Sequence, residues 1–422
     1  VLCFANCEPQ AAATTKLNKG VERQLFSQSS SLSRFMTAPF STLFDARRAK
    51  PVGRFLLAAV LATALAGPLA SCNKDSDNSP SLAQPTTPKP SYAPNENDQM
   101  WAVIEQFIAF NDPPLPTLSA RQARMTHSVT DAVKTVLAKN NRSASAPAVM
   151  VSQQVLPKLY TPLSAPDGVP VRIYTPTTAL ASGSTRPGIV YYHGGGWVIG
   201  SLDVYEPSAQ ALAERTGAVV VSVDYRLASE TMNKFPAAHE DAYAAYKWVH
   251  DNAASIGVNP AKIAVAGESA GGNMAAAVCI LARERAYALP VHELLVYPVA
   301  DNNLTTPSYN TYASAVPLNR DNIVYFTGLY FNTPADGDNR LISLVDVADL
   351  KGLPTATIIA AEIDPLQTEG KLLADKFTSA GVSNEYRLFT GTTHEFFGTY
   401  AVVPLANDAQ DYAATRLKAA FQ

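Results

Sequence analysis

The hexapeptide Gly267-Glu268-Ser269-Ala270-Gly271-Gly272 constrains this chain more than any other stretch. It follows the run Ile263-Ala264-Val265-Ala266 and precedes Asn273-Met274-Ala275-Ala276-Ala277. A short run that is apolar at every position reads as a parallel strand buried on both faces. The alanine-rich run after it reads as a helix. Glycines on either side of one serine let the backbone reverse sharply without Cβ clashes. The hexapeptide therefore sets a strand–turn–helix unit inside a layered α/β body.

The same alternation continues along the chain. Strands are expected at Val169–Tyr174, Ile189–Tyr192, Val219–Val223, Ile263–Ala266, Glu293–Tyr297, Thr355–Ala360 and Glu385–Phe389. Helices are expected at Pro207–Thr216, Ala237–Asn252, Gly271–Arg285 and Gln367–Ala380. Such alternation gives a mostly parallel, doubly wound sheet with helices on both faces. Upstream, Trp101, Ile104, Phe107 and Ile108 recur at helical spacing within Met100–Phe110. Ser119 is placed to cap a second helix that reaches to about Lys139. Residues 302–345 interrupt the alternation with Asn, Thr, Tyr and Pro, and a helix is expected at Arg320–Phe331. Segments 98–140 and 302–345 are expected to form a cap above the strand ends, although the second also fits a long surface loop. Apolar residues make up 47% of the 422 and charged residues 16%, enough for a sizeable core. A net charge of −3 gives no reason to expect nucleic-acid binding.

Charge is unevenly placed. Residues 1–72 hold eight Lys/Arg against three Asp/Glu, and the remainder holds 25 against 33. Arg47, Arg48, Lys50 and Arg54 precede the uncharged apolar stretch Phe55–Leu69. Then come Leu69-Ala70-Ser71-Cys72 and polar Asn73-Lys74-Asp75, the order of an export signal. Small residues before Cys72 resemble a bacterial lipobox. That resemblance implies cleavage before Cys72, a lipid on its thiol, and a membrane-anchored lipoprotein on the periplasmic or cell-surface side. A plain secretory signal and an uncleaved anchor are the alternatives; the apolar run is short for a roughly 30 Å hydrocarbon core. Met36 stands at a suitable distance before the basic cluster, so residues 36–71 read as the signal peptide and 1–35, with Cys3 and Cys7, as a non-native extension. Residues 72–97 include Pro85-Thr86-Thr87-Pro88-Lys89-Pro90 and read as a disordered tether. Residues 98–422 are then the folded domain. Cys279, in an apolar helical run, reads as a buried inert thiol.

A serine hydroxyl needs a base, a group that orients the base, and donors for the oxyanion that forms. Ser269 lies in G-x-S-x-G between a strand and a helix, the context of a nucleophile elbow. The helix start favours negative charge, and the Ala270 amide can point at an oxyanion. His193-Gly194-Gly195-Gly196-Trp197 follows Ile189–Tyr192, 76 residues before Ser269. Its glycines allow backbone N–H groups to approach an oxyanion closely, while His193 reads as a brace for the loop. A base is sought downstream of the nucleophile. Of His292 and His394, the first immediately precedes a strand and reads as a strand-edge residue, and the second lies in Gly391-Thr392-Thr393-His394-Glu395-Phe396 after one. An acid is sought after Thr355–Ala360, where Asp364 is favoured. Glu362 is its competitor, or a bracing carboxylate. No metal or cofactor is required.

Together with Asp224-Tyr225-Arg226-Leu227-Ala228, Phe235-Pro236-Ala237-Ala238, Asp364-Pro365-Leu366 and His394-Glu395-Phe396, these motifs resemble the hormone-sensitive-lipase-like esterases. This is the bacterial HGGG-type, family IV group of the α/β hydrolases, and the resemblance runs from about Trp101 to the C-terminus. It implies an α/β-hydrolase fold with a helical N-terminal cap. It implies Ser269 as nucleophile, Asp364 as acid, His394 as base, and the amides of Gly195, Gly196 and Ala270 as oxyanion donors. It implies a small-molecule ester substrate, a short- to medium-chain carboxylic ester cleaved through an acyl-enzyme. Three departures stand out: Glu268 where Asp is commoner, Ser229 where Pro is usual, and Gln367-Thr368-Glu369 where Arg-Asp-Glu is typical. An amidase, aryl-formamidase or peptidase on this fold, and a binding protein on a hydrolase scaffold, are the alternatives.

Overall fold

Eight strands form one sheet in the computed structural model of the chain, which describes residues 83–422 apart from 161, 163 and 166. They are β1 (Val149–Val155), β2 (Pro170–Pro176), β3 (Arg186–Tyr192), β4 (Val219–Val223), β5 (Val258–Glu268), β6 (His292–Val296), β7 (Thr355–Ile363) and β8 (Asn384–Thr393). Their order is β1-β2-β4-β3-β5-β6-β7-β8. β2 is antiparallel to both its neighbours, and every pairing from β4 to β8 is parallel. The helices are α1 (Asp98–Ala109), α2 (Ala120–Ala123), α3 (Val129–Lys139), α4 (Glu206–Thr216), α5 (Ala237–Asp251), α6 (Ala270–Glu284), α7 (Pro307–Thr311), α8 (Arg320–Tyr330), α9 (Gln367–Ser379) and α10 (Pro404–Ala420).

Successive side chains of a strand point to opposite faces, so a sheet covered on both sides needs apolar residues at consecutive positions. On β3, Val190 and Tyr192 enter one core, and Ile189 and Tyr191 the other. On β5, Ile263 and Val265 join the first core, and Ala264 and Ala266 the second. Helices α5, α6 and α9 cover the first face, whereas α1, α3, α4 and α10 cover the second.

Two elements depart from the expectations above. β1 was not anticipated: it is a largely exposed edge strand in which Val149, Met150, Val151 and Val155 flank Ser152, Gln153 and Gln154 without a continuous apolar run or a clean alternation. The single helix expected from Ser119 to about Lys139 is two helices. Ser119 caps α2 in a capping box with Gln122, and Ser128 caps α3 in a second box with Asp131. The second box supplies a fresh helix start and ends the first helix early.

The signal peptide, Cys72 and the extension before Met36 lie outside the described residues. The tether was expected to run to Asn97, yet from Ala83 onward the chain is packed on the domain. Ala93 is fully buried, and Ala83 and Glu96 nearly so. The Trp101 indole N–H donates to the Thr87 carbonyl (3.0 Å), and the Glu105 carboxylate accepts from the Thr86 amide (2.8 Å). Asn95 donates to both oxygens of Glu362 (2.9 Å), and the Asn97 amide donates to the Gly391 carbonyl (2.8 Å). Composition suggested disorder because the segment has few apolar side chains. Its order comes instead from backbone and carboxylate hydrogen bonds, which composition does not display.

Gly391 has φ +73°, and a Cβ there would lie 3.0 Å from the Asn95 carbonyl oxygen and 3.1 Å from the Asn97 nitrogen. Gly381 has φ +74° and open space at the same point. Gly391→Ala is predicted to lose about 1–3 kcal/mol in urea unfolding, and Gly381→Ala about 1 kcal/mol. Equal losses would show that contact with segment 83–97 carries no weight.

Candidate active site

β5 ends at Glu268 and α6 begins at Ala270, which leaves Ser269 as the whole of the turn. Ser269 has φ +57° and ψ −120°, a conformation an L-residue adopts only when its surroundings impose it. The imposition is visible. A Cβ on Gly267 would collide with the Gly271 carbonyl, and one on Gly271 with the Tyr192 carbonyl. The Ser269 amide donates to the Val296 carbonyl (2.9 Å), and the Ser269 carbonyl accepts from the Val299 amide (3.2 Å). The end of β6 thus pins the turn, and the serine stands at the N-terminus of a fifteen-residue helix.

His394 follows β8 directly, and Asp364 follows β7 directly. Both are buried, and the His394 Nδ1–H donates to Asp364 Oδ2 (2.7 Å). The other oxygen of Asp364 accepts from the Leu366 amide (2.9 Å). Burial works against a positive charge on His394. The Asp364 carboxylate, by charge and hydrogen bond, outweighs it with help from Glu395 and Glu268, and holds the imidazole above its ordinary pKa.

The competing residues lie elsewhere. Glu362 accepts from Asn95 and from the Gly391 amide (2.6 Å), which is the bracing geometry. His292 bonds Thr355 (2.7 Å) and Thr357 (3.0 Å) on the neighbouring strand, and burial pushes its pKa down to about 4. His193 is buried against Tyr225, with ring centroids 4.3 Å apart. Its Nδ1–H donates to the Gly194 carbonyl (2.8 Å), and the Tyr225 hydroxyl donates to the His193 carbonyl (2.8 Å). Burial pushes the His193 pKa down to about 4, so this imidazole is neutral and braces the glycine loop. Cys279 is buried, and burial pushes its thiol well up, away from thiolate chemistry.

A cavity of about 900 Å³ gathers these groups. Ser269, His394, Gly195 and Gly196 all contribute to its wall. Phe107, Leu115 and Ala123 line it from segment 98–140, and Leu304, Leu318 and Phe326 from segment 302–345. Both expected cap segments therefore border the same space as the serine.

Several buried groups around the site were not anticipated. Glu268 accepts hydrogen bonds from the hydroxyls of Tyr191 and Tyr297. Glu395 accepts from the Tyr205 hydroxyl (2.6 Å). His239 links Tyr330 (2.7 Å) to Asn273 (3.0 Å), the residue directly after the hexapeptide. The available signal was position: Glu268 and Glu395 are sequence neighbours of Ser269 and His394, in segments otherwise poor in charge.

A family model described as the alpha/beta hydrolase fold matches residues 189–398. The chain is 41% identical over 256 residues to the carboxylesterase NlhH of Mycobacterium tuberculosis, spanning 60% of this chain and 79% of that one. It is 34% identical over 253 residues to an ethyl acetate hydrolase of Pseudomonas putida, spanning 58% and 77%. A thermostable esterase structure from Pseudomonas putida superposes with a TM-score of 0.69 at 28% identity, over 78% of this chain and 98% of the other. A hyperthermophilic esterase from Pyrobaculum calidifontis gives 0.66 at 36% identity, over 75% and 96%. The chain belongs to the hormone-sensitive-lipase-like, family IV esterases of the α/β-hydrolase superfamily, and it is a carboxylic ester hydrolase.

Proposed function

We propose that this esterase cleaves short- to medium-chain carboxylic esters by two-step acyl transfer through Ser269, His394 and Asp364. The observation that carries the reading is the strained Ser269 on a cavity wall shared with a histidine already bonded to a buried carboxylate. His394 Nε2 accepts the Ser269 proton as Oγ attacks the ester carbonyl carbon. Amides of Gly195, Gly196 and Ala270 hold the oxygen that gains charge. The tetrahedral species collapses, and the alcohol leaves with the proton from Nε2. Water then attacks the acyl-enzyme, giving up a proton to Nε2, and the acid is released as Ser269 Oγ takes that proton from Nε2. Asp364 keeps the Nδ1 proton in place throughout and stabilises the transient imidazolium. The apolar wall supplied by Phe107, Leu304 and Phe326 supports an aliphatic acyl group.

Ser269→Ala is predicted to lower kcat on p-nitrophenyl butyrate by about a thousandfold or more and to abolish fluorophosphonate labelling. Retained labelling would move the nucleophile elsewhere. Anilide and formamide analogues run in parallel separate ester cleavage from amide cleavage.

Catalysis needs neutral His394 in the free enzyme. A raised imidazole pKa therefore places the acid limb of kcat/KM above the ordinary value of about 6.5. The same ion pair affects stability with the opposite sign. Its contribution is complete below the unfolded-state pKa and is lost as pH rises through the folded one. An acid limb at or below the ordinary imidazole value would contradict the electrostatics given for His394.

We further propose that Cys72 carries a lipid that holds the enzyme outside the cytoplasm, on the strength of the basic, apolar and small-residue order of residues 47–72. Palmitate labelling in cells is predicted for the wild type and lost in Cys72→Ala. Equal labelling of both would contradict it.

A further inference from the structure

We propose that Glu268 and Tyr297 act as a positioning pair for His394, with Glu268 gripping the Tyr297 phenol and the Tyr297 ring backing the imidazole. This inference rests on His394 being the base.

Glu268 is the residue before Ser269 and the last of β5. It is almost completely buried, and among the described residues no Lys or Arg pairs with it. A carboxylate placed like this is costly, and an apolar side chain would fill the position more cheaply. What it gains in return is two hydrogen bonds directed outward to the neighbouring strands. Oε1 accepts from Tyr191 on β3, and Oε2 accepts from Tyr297 at the end of β6. Because β5 lies between β3 and β6, one carboxylate ties three strand ends together beneath the site. Tyr191 is two residues before His193 and its glycine loop, so the oxyanion side is tied in as well.

Tyr297 carries a second sign of imposed geometry. Its φ is +34°, a region that an aromatic residue occupies only under constraint. Its amide donates to the Ile359 carbonyl (2.6 Å), and its phenol is held by Glu268. With both ends fixed, the ring lies 4.5 Å from the His394 ring, centroid to centroid, at an interplanar angle of 48°. Asp364 holds His394 at Nδ1 alone, which leaves the imidazole free to rock about that bond. The Tyr297 ring removes that freedom on the side it covers. Misplacing a base by even an ångström costs a large part of its effect.

The longer side chain matters here. Asp is commoner at this position in the resembling esterases, and its carboxylate stops one methylene short of the Glu268 position. The groups facing His394 are the carboxylates of Asp364, Glu395 and Glu268 and the phenol ring of Tyr297, with the Tyr205 hydroxyl bonded to Glu395. Burial, aided by the Glu395 charge and opposed by the hydroxyls of Ser208, Tyr191 and Tyr297, pushes the Glu268 carboxyl up to about 7, so its charge titrates in the range where His394 works.

The test is a double-mutant cycle on the full chain, with Glu268→Gln, Tyr297→Phe and the pair. Assays use p-nitrophenyl butyrate across pH, with a thermal melt of each variant. Each single variant is expected to lower kcat about tenfold with KM nearly unchanged, and the pair to fall no further than the worse single one. Glu268→Gln is also expected to lower the acid limb of kcat/KM by about half a pH unit, a shift that a merely structural role would not produce. Wild-type kcat with an unmoved limb in folded Glu268→Gln, or losses that multiply in the pair, would overturn the inference. If Glu268→Gln does not fold, Glu268→Asp keeps the charge and shortens the reach. A fall in its kcat supports the pair, and wild-type kcat overturns it. Fluorophosphonate labelling of wild-type Ser269 separates the two claims. Its absence defeats the nucleophile assignment, whereas labelled enzyme indifferent to Glu268 defeats only the positioning pair.

Discussion

The close approach at the Ser269 turn is the constraint on which the site depends. Gly267 and Gly271 have no room for a Cβ, because the carbonyls of Gly271 and Tyr192 occupy that space. The strand, the helix and the glycine-loop strand therefore meet at contact distance. Ser269 is the residue left to make the reversal, and it takes a left-handed backbone to do so. The conformation survives because β6 pins the turn through Val296, and because two cores built on opposite faces of β3 and β5 hold those strands in register. Serine geometry, helix field and the approach of the glycine loop are consequences of one packed crossing point.

Electrostatics then divides the buried titratable groups by role. Three buried histidines have pKa values pushed down to about 4 by desolvation: His193, His239 and His292. Each is bonded to neutral partners and serves packing. His394 is, among the described residues, the buried histidine hydrogen-bonded to a carboxylate, and the same desolvation is overcome there. One kind of residue in one kind of environment thus has its pKa lowered or raised according to whether an Asp364 is present.

Much of this was legible in the sequence, for physical reasons. Strands buried on both faces announce themselves by continuous apolar runs, so β3 to β7 were readable, and the turn and glycine loop are short-range patterns. Asp364 and His394 were readable because each directly follows a strand. β1 was not, since its exposed sequence has neither a continuous apolar run nor a clean alternation. The packed segment 83–97 was not either, because Asn95 and Asn97 reach partners near 362 and 391, a separation that no local pattern encodes. Glu268 was seen only as a departure from the usual Asp. Its two phenol partners come from different strands and become neighbours only once the sheet order is known.

The central claim is that an acyl group passes through Ser269. Rapid acid quenching during turnover of p-nitrophenyl acetate, followed by peptide mapping, tests it directly. An initial burst of p-nitrophenol stoichiometric with enzyme, with the acetyl group on the peptide containing Ser269, is the predicted result when deacylation is the slower step. An acetyl group on any other residue would contradict the account.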